Sequence, residues 1–428
     1  MIDARAARRR FVLISALTWL PRGLGLPVMV LLMEVRGIGL AGVGLVFAVY
    51  GIAVASLELP TGGLADVIGR RTVLAASAAV TVGAVVWMAF ATSLWMFVAI
   101  GVLNALARAL SSGPAEAWYV DAVHAAAATA GGGKRASGGG GPDAGELRRG
   151  LAQGNAAGSA ALAVGTLVGG GLPLVIALWG LLPDRGVLVP LSAPMLLAAL
   201  AGAGQLAVAL LGMPEPERAG ERPRFGEVLR DVPATVGRGA RLGFRDGLLA
   251  RVLLTAAALG IALNAIELLT PGRLADLTGN PAAASTWYAI VAAIGFAAVS
   301  VGSALGPWVA RLLGGGETTD AGRTAATGAV VAAVSLGGLA ASASLDGTAG
   351  IAAAALAYTG MFLGLGIADP SRSELMHSRA SAKERATVLS VDSLLLQAGG
   401  ALSAIGLGAL AAHWSVAPAW WLAAATLL

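Results

Sequence analysis

The sequence predicts an all-α, polytopic membrane protein whose twelve transmembrane helices form two pseudo-symmetric six-helix bundles. Three observations carry that prediction. Of 428 residues, 57% are hydrophobic and only 12% charged, against roughly 25% charged in a soluble domain. Apolar stretches long enough to cross a bilayer, about 20 residues, recur along almost the whole chain. Lys and Arg also collect in every second connection, as the orientation rule for membrane proteins requires.

The apolar windows fall at 11–33, 39–61, 72–92, 94–114, 151–178, 187–212, 250–271, 283–310, 323–344, 349–368, 387–411 and 415–428. The first follows a basic Met1–Arg10 segment in the manner of a secretory leader. It outlasts a leader's apolar core, contains Arg22 and lacks a small-residue cleavage site, so it reads as a retained span. The last, 415–428, is too short for an untilted crossing, and helix 12 is read as short or truncated.

With the N-terminus on the cytoplasmic side, 24 Lys and Arg lie inside and three (Arg36, Arg185, Arg273) outside, while Arg22 and Arg108 stay within the membrane. The net charge of +5 is therefore a topology signal, and no nucleic-acid partner is expected. The expected location is a bacterial cytoplasmic (inner) membrane, multi-pass, as a monomer in lipid.

Two connections are long. Residues 125–150 contain GGGKRASGGGG and read as a flexible linker. Lys134 there is followed by Arg135, with no strand before it, so the phosphate-loop pattern is not met. Residues 213–249 form a central cytoplasmic loop dividing an N-terminal bundle, 1–212, from a C-terminal one, 250–428. A weak repeat supports the division: SGPAEAWYVDAVH ends the fourth helix and IADPSRSELMHSR the tenth. Paired halves are typical of secondary transporters, with the binding site between them near the midplane.

Other chemistry is missing from the pattern. There are no cysteines, which removes thiol redox chemistry and Cys-bound metal. His124, His377 and His413 are far apart, and no metal site, organic cofactor or catalytic constellation is expected; the chain does not read as an enzyme. Asn280-Pro281-Ala282 matches a water-channel triplet, but it occurs once and in an outer connection.

Between the second and third helices the chain reads Gly62-Gly63-Leu64-Ala65-Asp66-Val67-Ile68-Gly69-Arg70-Arg71. Gly62 and Gly69 permit a tight turn and close approach. Asp66 can face the positive end of another helix, and Arg70 and Arg71 can pair with carboxylates. The plainer reading is a positive-inside turn that anchors two helices. The segment resembles the loop 2–3 signature of the major facilitator superfamily, with Val67 where a basic residue is usual. That resemblance implies a gating turn, in which Asp66 latches onto the second half and a motif Arg pairs with Asp121 at the end of helix 4. In helix 5, Gly165-Thr166-Leu167-Val168-Gly169-Gly170 resembles the antiporter signature of drug exporters, with Thr166 in place of proline. Gly165 and Gly169 are equally explained by close helix packing. Arg108 lies five residues before Gly113, one position off the family's helix 4 element.

Ionisable side chains at membrane depth are costly and should face a cavity or a partner. Arg22 on helix 1, Asn104 and Arg108 sharing a face of helix 4, and Asn264 and Glu267 sharing a face of helix 7 are the expected cavity residues. Trp19 and Tyr358 are candidate aromatic walls, with core packing as the plainer reading. The resemblance places helices 1, 4, 7 and 10 around the central cavity. Glu267 is the preferred protonation site, since a partly desolvated carboxyl can trade a proton for substrate. Glu58, Glu116 and Asp392 compete for that role, against capping or gate pairing.

The expected function is alternating-access secondary transport of a small molecule, driven by the proton gradient. Proton-coupled efflux of small amphipathic compounds leads. An importer or uniporter of an anionic metabolite is the alternative, and a non-transporting receptor or scaffold with the same fold is a further one.

Overall fold

The computed structural model describes residues 3–62, 64–130, 142–214, 237, 241, 246–314, 317–379 and 385–428, with backbone alone at 59, 62, 66, 128–130, 142–144, 317–320 and 385–386. Among these residues, eleven helical segments are long and apolar enough to cross a membrane. In chain order, spans 1–6 are Ala4–Val35, Leu40–Glu58, Arg70–Phe90, Leu94–Ala127, Gly145–Leu178 and Pro190–Gly212. Spans 7–11 are Gly247–Thr278, Pro281–Leu313, Ala321–Ser344, Gly347–Arg379 and Thr387–His413. A twelfth helix, Val416–Thr426, has 11 residues. The glycine-rich linker around Lys134 and most of the central loop lie outside the described residues.

Several helices outrun the apolar windows that announced them. Span 4 continues past Ser111, because a second helix starts at Pro114 directly after Gly113 and runs on to Ala130. Proline suits a first helical position, where its missing N–H is not needed. Spans 5 and 10 likewise extend as polar turns at one end of the bundle. Hydropathy registers only the hydrocarbon length, whereas a helix continues into the interface wherever its charges stay hydrated. Span 1 breaks the other way, into Ala4–Gly25 and Met29–Val35, around Pro27.

Helix starts are fixed locally. Asp3 accepts from the Ala6 N–H at 2.6 Å. Asp246 accepts from the N–H groups of Leu248 and Leu249 at 2.8 and 3.2 Å. Asn280 caps span 8 through the N–H groups of Ala282 and Ala283, with Pro281 in the first turn. The Asn-Pro-Ala triplet is thus a helix cap.

The pairing of spans shows the repeat that the sequence hinted at. In the first half, span 1 packs on 5 and 6, span 3 on 4 and 6, and span 2 on 4. In the second half, span 7 packs on 11 and the twelfth helix, span 9 on 10 and the twelfth helix, and span 8 on 10. Each pair in the first half has its counterpart six helices on. Across the halves, span 2 packs on 11 and span 5 on 8, a relation that the same pseudo-two-fold interchanges.

The apolar core is divided unequally between the two ends of the bundle. At the far end, away from the Arg70 turn, one cluster joins both halves. It includes Val30–Met33, Val43, Met88 and Phe97 from the first half and Leu268, Leu269, Tyr288, Leu336 and Trp420 from the second. At the basic end, the halves keep separate clusters. One holds Phe11, Leu74, Trp118 and Tyr119; the other holds Leu249, Leu253, Leu375 and Val388. The halves are fused at one end and individually packed at the other.

Candidate functional site: polar side chains between the two halves

The turn before span 3 is built on Gly69, whose φ of 99° is a region that residues with a Cβ rarely enter. It delivers Arg70 to the end of span 4, where its guanidinium forms an ion pair with Asp121 and donates to the Ala117 carbonyl. Both partners belong to the Pro114–Ala130 helix, so the contact ties spans 3 and 4 of one half together. Arg71 is half-buried beside it. Gly62 ends the helix of span 2 and Asp66 lies in a short helix, Leu64–Ile68. The Asp66 side chain and Gly63 lie outside the described residues, as does any latch from Asp66 to the second half.

The glycines of span 5 face two neighbours. A Cβ on Gly165 would lie 2.9 Å from the Leu20 oxygen and 3.1 Å from the Gly23 Cα, and one on Gly169 would lie 2.7 Å from the Leu24 Cα. These two positions let span 1 approach backbone to backbone. Gly170 points elsewhere: its carbonyl accepts from the Ser285 and Thr286 hydroxyls of span 8, each at 2.9 Å. Thr166 is fully buried and returns its hydroxyl to the Leu162 carbonyl at 2.8 Å. The segment is therefore a packing seam toward span 1 and an inter-half contact toward span 8.

The polar residues at membrane depth gather between the halves. The Arg22 Nη2 donates to the Ser111 hydroxyl at 3.0 Å, and its guanidinium lies 4.8 Å from the centre of the Trp19 ring. Trp19 is 41% exposed, so the ring is not part of a sealed core. Ser111 in turn donates to the Arg108 carbonyl at 2.9 Å. The Arg108 Nη1 reaches the Tyr50 hydroxyl of span 2 at 3.3 Å. Arg22 and Arg108 lie within each other's field, and Arg108 within that of Glu267 and Glu58. Arg22 of span 1 and Arg108 of span 4 are thus linked by hydrogen bonds through Ser111, and Glu267 of span 7 lies within the field of Arg108. Both arginines and Glu267 are half-buried.

Asn104 is half-buried one turn before Arg108. Asn264, one turn before Glu267, keeps its Oδ1 buried without a partner. Tyr358 is placed differently from the other expected cavity residues. It is 1% exposed, stacked on Phe362 at 4.9 Å and edge-on to Tyr288 at 6.2 Å. It belongs to the far-end core, beside the site.

The competing acids have other partners. Asp392 pairs with Arg372, which is 7% exposed and also donates through Nε to Thr255 at 3.0 Å. Glu58 accepts from the Ser393 hydroxyl at 3.0 Å, a bond from span 2 to span 11. Glu116 is exposed. Among the described residues, no group of His, Asp and Glu is arranged to hold a metal ion.

The comparisons with known proteins address the family. The model of the Major Facilitator Superfamily matches residues 11–404. The chain belongs to that superfamily. Among solved structures, the nucleoside transporter NupG superposes with a TM-score of 0.70 at 14% identity, covering 98% of this chain and 96% of that one. A bacterial homolog of the human lysosomal transporter Spinster, in an inward-facing, unoccupied conformation, gives 0.70 at 16% identity over 96% and 83%. A POT family transporter in complex with 5-aminolevulinic acid gives 0.67 at 12% identity over 98% and 93%. At such identities these likenesses are likenesses of fold. None of the curated proteins matches the sequence. As a member of the superfamily, the chain is a multi-pass membrane protein with a transporter fold.

Sequence reasoning missed several residues of this superfamily member's interior. Tyr50 was legible only as one of four tyrosines set in an otherwise apolar run. Ser111 and Ser393 carried no signal, because serine is common in helices at any depth. Buried Arg372 was counted among the loop cations and belongs to an ion pair inside the second half. Gln205, 3% exposed and donating to Thr18 at 2.9 Å, joins spans 6 and 1 and could have been flagged as a polar residue amid aliphatics.

Proposed function

We propose that this chain is a proton-coupled secondary transporter that works by alternating access, with Glu267 as the proton-carrying group. The observation that carries the reading is the meeting of Arg22, Arg108 and Glu267, on three spans drawn from both halves, at half-buried positions between those halves. A charge there costs about 2.5–3.5 kcal/mol on insertion scales and is retained where it serves a pathway. The far-end core and the separate basic-end cores represent one of two arrangements, closed at the far end; rocking of the halves would supply the other. The 24-to-3 distribution of Lys and Arg supports a cytoplasmic basic end and an inward-facing state in the cytoplasmic membrane.

Export of small amphipathic compounds in exchange for protons is the direction that the span 5 signature supports. One observation favours a second reading, uptake or facilitated exchange of an anionic metabolite. Neither Arg22 nor Arg108 has a carboxylate within ion-pair distance among the described residues, and their side-chain hydrogen bonds go to hydroxyls.

The test is flux in proteoliposomes or inverted vesicles with an imposed proton gradient. Gradient-dependent transport, abolished in Glu267→Gln while exchange of preloaded solute persists, is the expected result. Flux unchanged after the gradient is collapsed would reject the proton-coupled reading.

A further inference from the structure

We infer that Arg22 and Arg108 form a binding site for a small organic anion, and that Glu267 competes with that anion for Arg108, so that anion and proton bind together. The inference rests on the anionic-solute reading above and fixes the sign of its coupling.

Four arginines of the basic end show what a neutralised pair looks like, while Arg10, Arg311 and Arg323 donate to backbone carbonyls instead. Arg8 meets Glu146 at 2.7 Å, Arg379 meets Asp246 at 3.1 Å, and Arg70 and Arg372 are paired with Asp121 and Asp392. Each is neutralised within its own half. Arg22 and Arg108 lie deeper, where an unpaired charge costs more, and yet they meet Ser111, Tyr50 and the Trp19 face. Arg22 also feels the like charge of Arg108. A guanidinium offers five N–H donors, and the side-chain bonds described occupy one on each residue. Both residues are half-buried, and none of their remaining guanidinium nitrogens is among the buried atoms left without a partner, so further donors remain open to a ligand. Two guanidiniums with no carboxylate in ion-pair distance among the described residues, linked through Ser111, which accepts from Arg22 and donates to the Arg108 main-chain carbonyl, match a carboxylate or phosphate group whose oxygens accept from both.

The coupling follows from the charges around Glu267. Arg108 of span 4, Tyr288 of span 8 and Tyr358 of span 10 lie within electrostatic reach of Glu267, and Glu58, Tyr50 and Arg22 within that of Arg108. Arg108 is the only cation facing Glu267 among these groups. When ionised, Glu267 offsets part of the positive field that an incoming anion would use. When protonated, it leaves that field to the anion. Binding of one therefore favours binding of the other, by reciprocal linkage. Proton and anion are expected to move in the same direction.

The experiment is calorimetric titration of the purified full chain between pH 5.5 and 8 with benzoate, pyruvate, lactate and inorganic phosphate, each carboxylate set against its neutral amide. At least one anion should bind tenfold or more tightly than its neutral twin, or, for phosphate, than buffer alone. That binding should weaken about tenfold from low to high pH, with net proton uptake on binding. Glu267→Gln should bind with the low-pH affinity at every pH. Arg22→Gln should lose binding tenfold or more, and Arg22→Lys should restore part of it, which separates charge from folding. Thermal melts would report whether each variant is folded. Anion binding that is equally strong at all pH values in wild type would overturn the coupling and leave the anion site. No preference for any anion, with proton-driven flux of an uncharged solute intact, would overturn the anion site and leave the transporter reading.

Discussion

The far end and the basic end of this bundle hold the same two halves together by different means. At the far end a single apolar cluster runs across both halves, and the Gly170 carbonyl takes two hydroxyl groups from span 8. At the basic end each half has its own cluster and its own ion pairs, Arg70–Asp121 in the first and Arg372–Asp392 in the second. Glu58–Ser393 is a single hydrogen bond across the halves toward that end. Apolar contact is shape-specific and collectively strong, whereas a single hydroxyl–carboxylate bond contributes at most about 1.5–3 kcal/mol. The closed end is thus deep and the other lightly held.

Breaking the far-end seam should give the largest effect. A Cβ on Gly170 would collide with the Ser285 backbone, its carbonyl carbon lying 3.2 Å away. Gly170→Val is expected to destabilise the observed arrangement by about 1–3 kcal/mol, as overpacking does. The natural chain has no cysteine, so spin labels can be placed cleanly. Distances between Arg185→Cys and Asp346→Cys should lengthen in the variant, and those between Arg148→Cys and His377→Cys should shorten. A melting temperature and both distances equal to wild type would show that the seam does not hold the far end.

The basic-end ion pairs should behave oppositely, because each lies within one half. Arg70→Gln or Asp121→Asn is expected to lower stability by about 1–2 kcal/mol, with Asp121 partly exposed and its share screened. The double variant should cost less than the sum of the two. Neither should change the label distances across the far end. A far-end change comparable to that of Gly170→Val would mean that the ion pair reports on the relation between halves.

Removing single hydroxyls sharpens the comparison at smaller cost. Ser285→Ala with Thr286→Val takes both donors from the Gly170 carbonyl, and Ser393→Ala takes the donor from Glu58. Each lost bond should cost about 0.6–1 kcal/mol, typical of hydrogen bonds between membrane helices. The first variant should shift populations toward far-end opening and the second away from basic-end closure, by label distances. Shifts in the same direction would show that the hydroxyls merely cap their own helices.

The smallest effect is a pH dependence at the start of span 7. The N–H groups of Leu249 and Leu248, and then Arg379, hold the Asp246 carboxyl below its usual range. Its folded value is depressed, so its stabilisation is complete above the ordinary Asp value of about 3.9. That stabilisation is lost as pH falls through the lower folded value. Melts of wild type and Asp246→Asn should converge at acidic pH and differ above it. A constant difference at all pH values would place the contribution in the cap hydrogen bonds alone.

The legible part of the site was the part that violates local rules. Arg22, Arg108 and Glu267 stand out because charge is rare in apolar helices, and the Gly69 turn stands out because its glycines and cations cluster. Tyr50, Ser111 and Ser393 were not legible, since a hydroxyl in a helix becomes informative only when its partner on another span is known. Tyr358 shows the reverse. An aromatic residue on a cavity-forming span reads as a wall, yet its neighbours Tyr288 and Phe362 draw it into the core.

The amino-acid order alone determined the crossings, their alternating direction and the division into halves, because these depend on how apolar length and cation placement partition between lipid and water. Tertiary structure decided which end the halves share, that Gly170 faces span 8 while Gly165 and Gly169 face span 1, and that Arg22 and Arg108 have no carboxylate in ion-pair distance among the described residues. Those outcomes depend on the rotation of each helix about its axis and on contacts between residues hundreds of positions apart. Hydropathy along a chain carries no record of either.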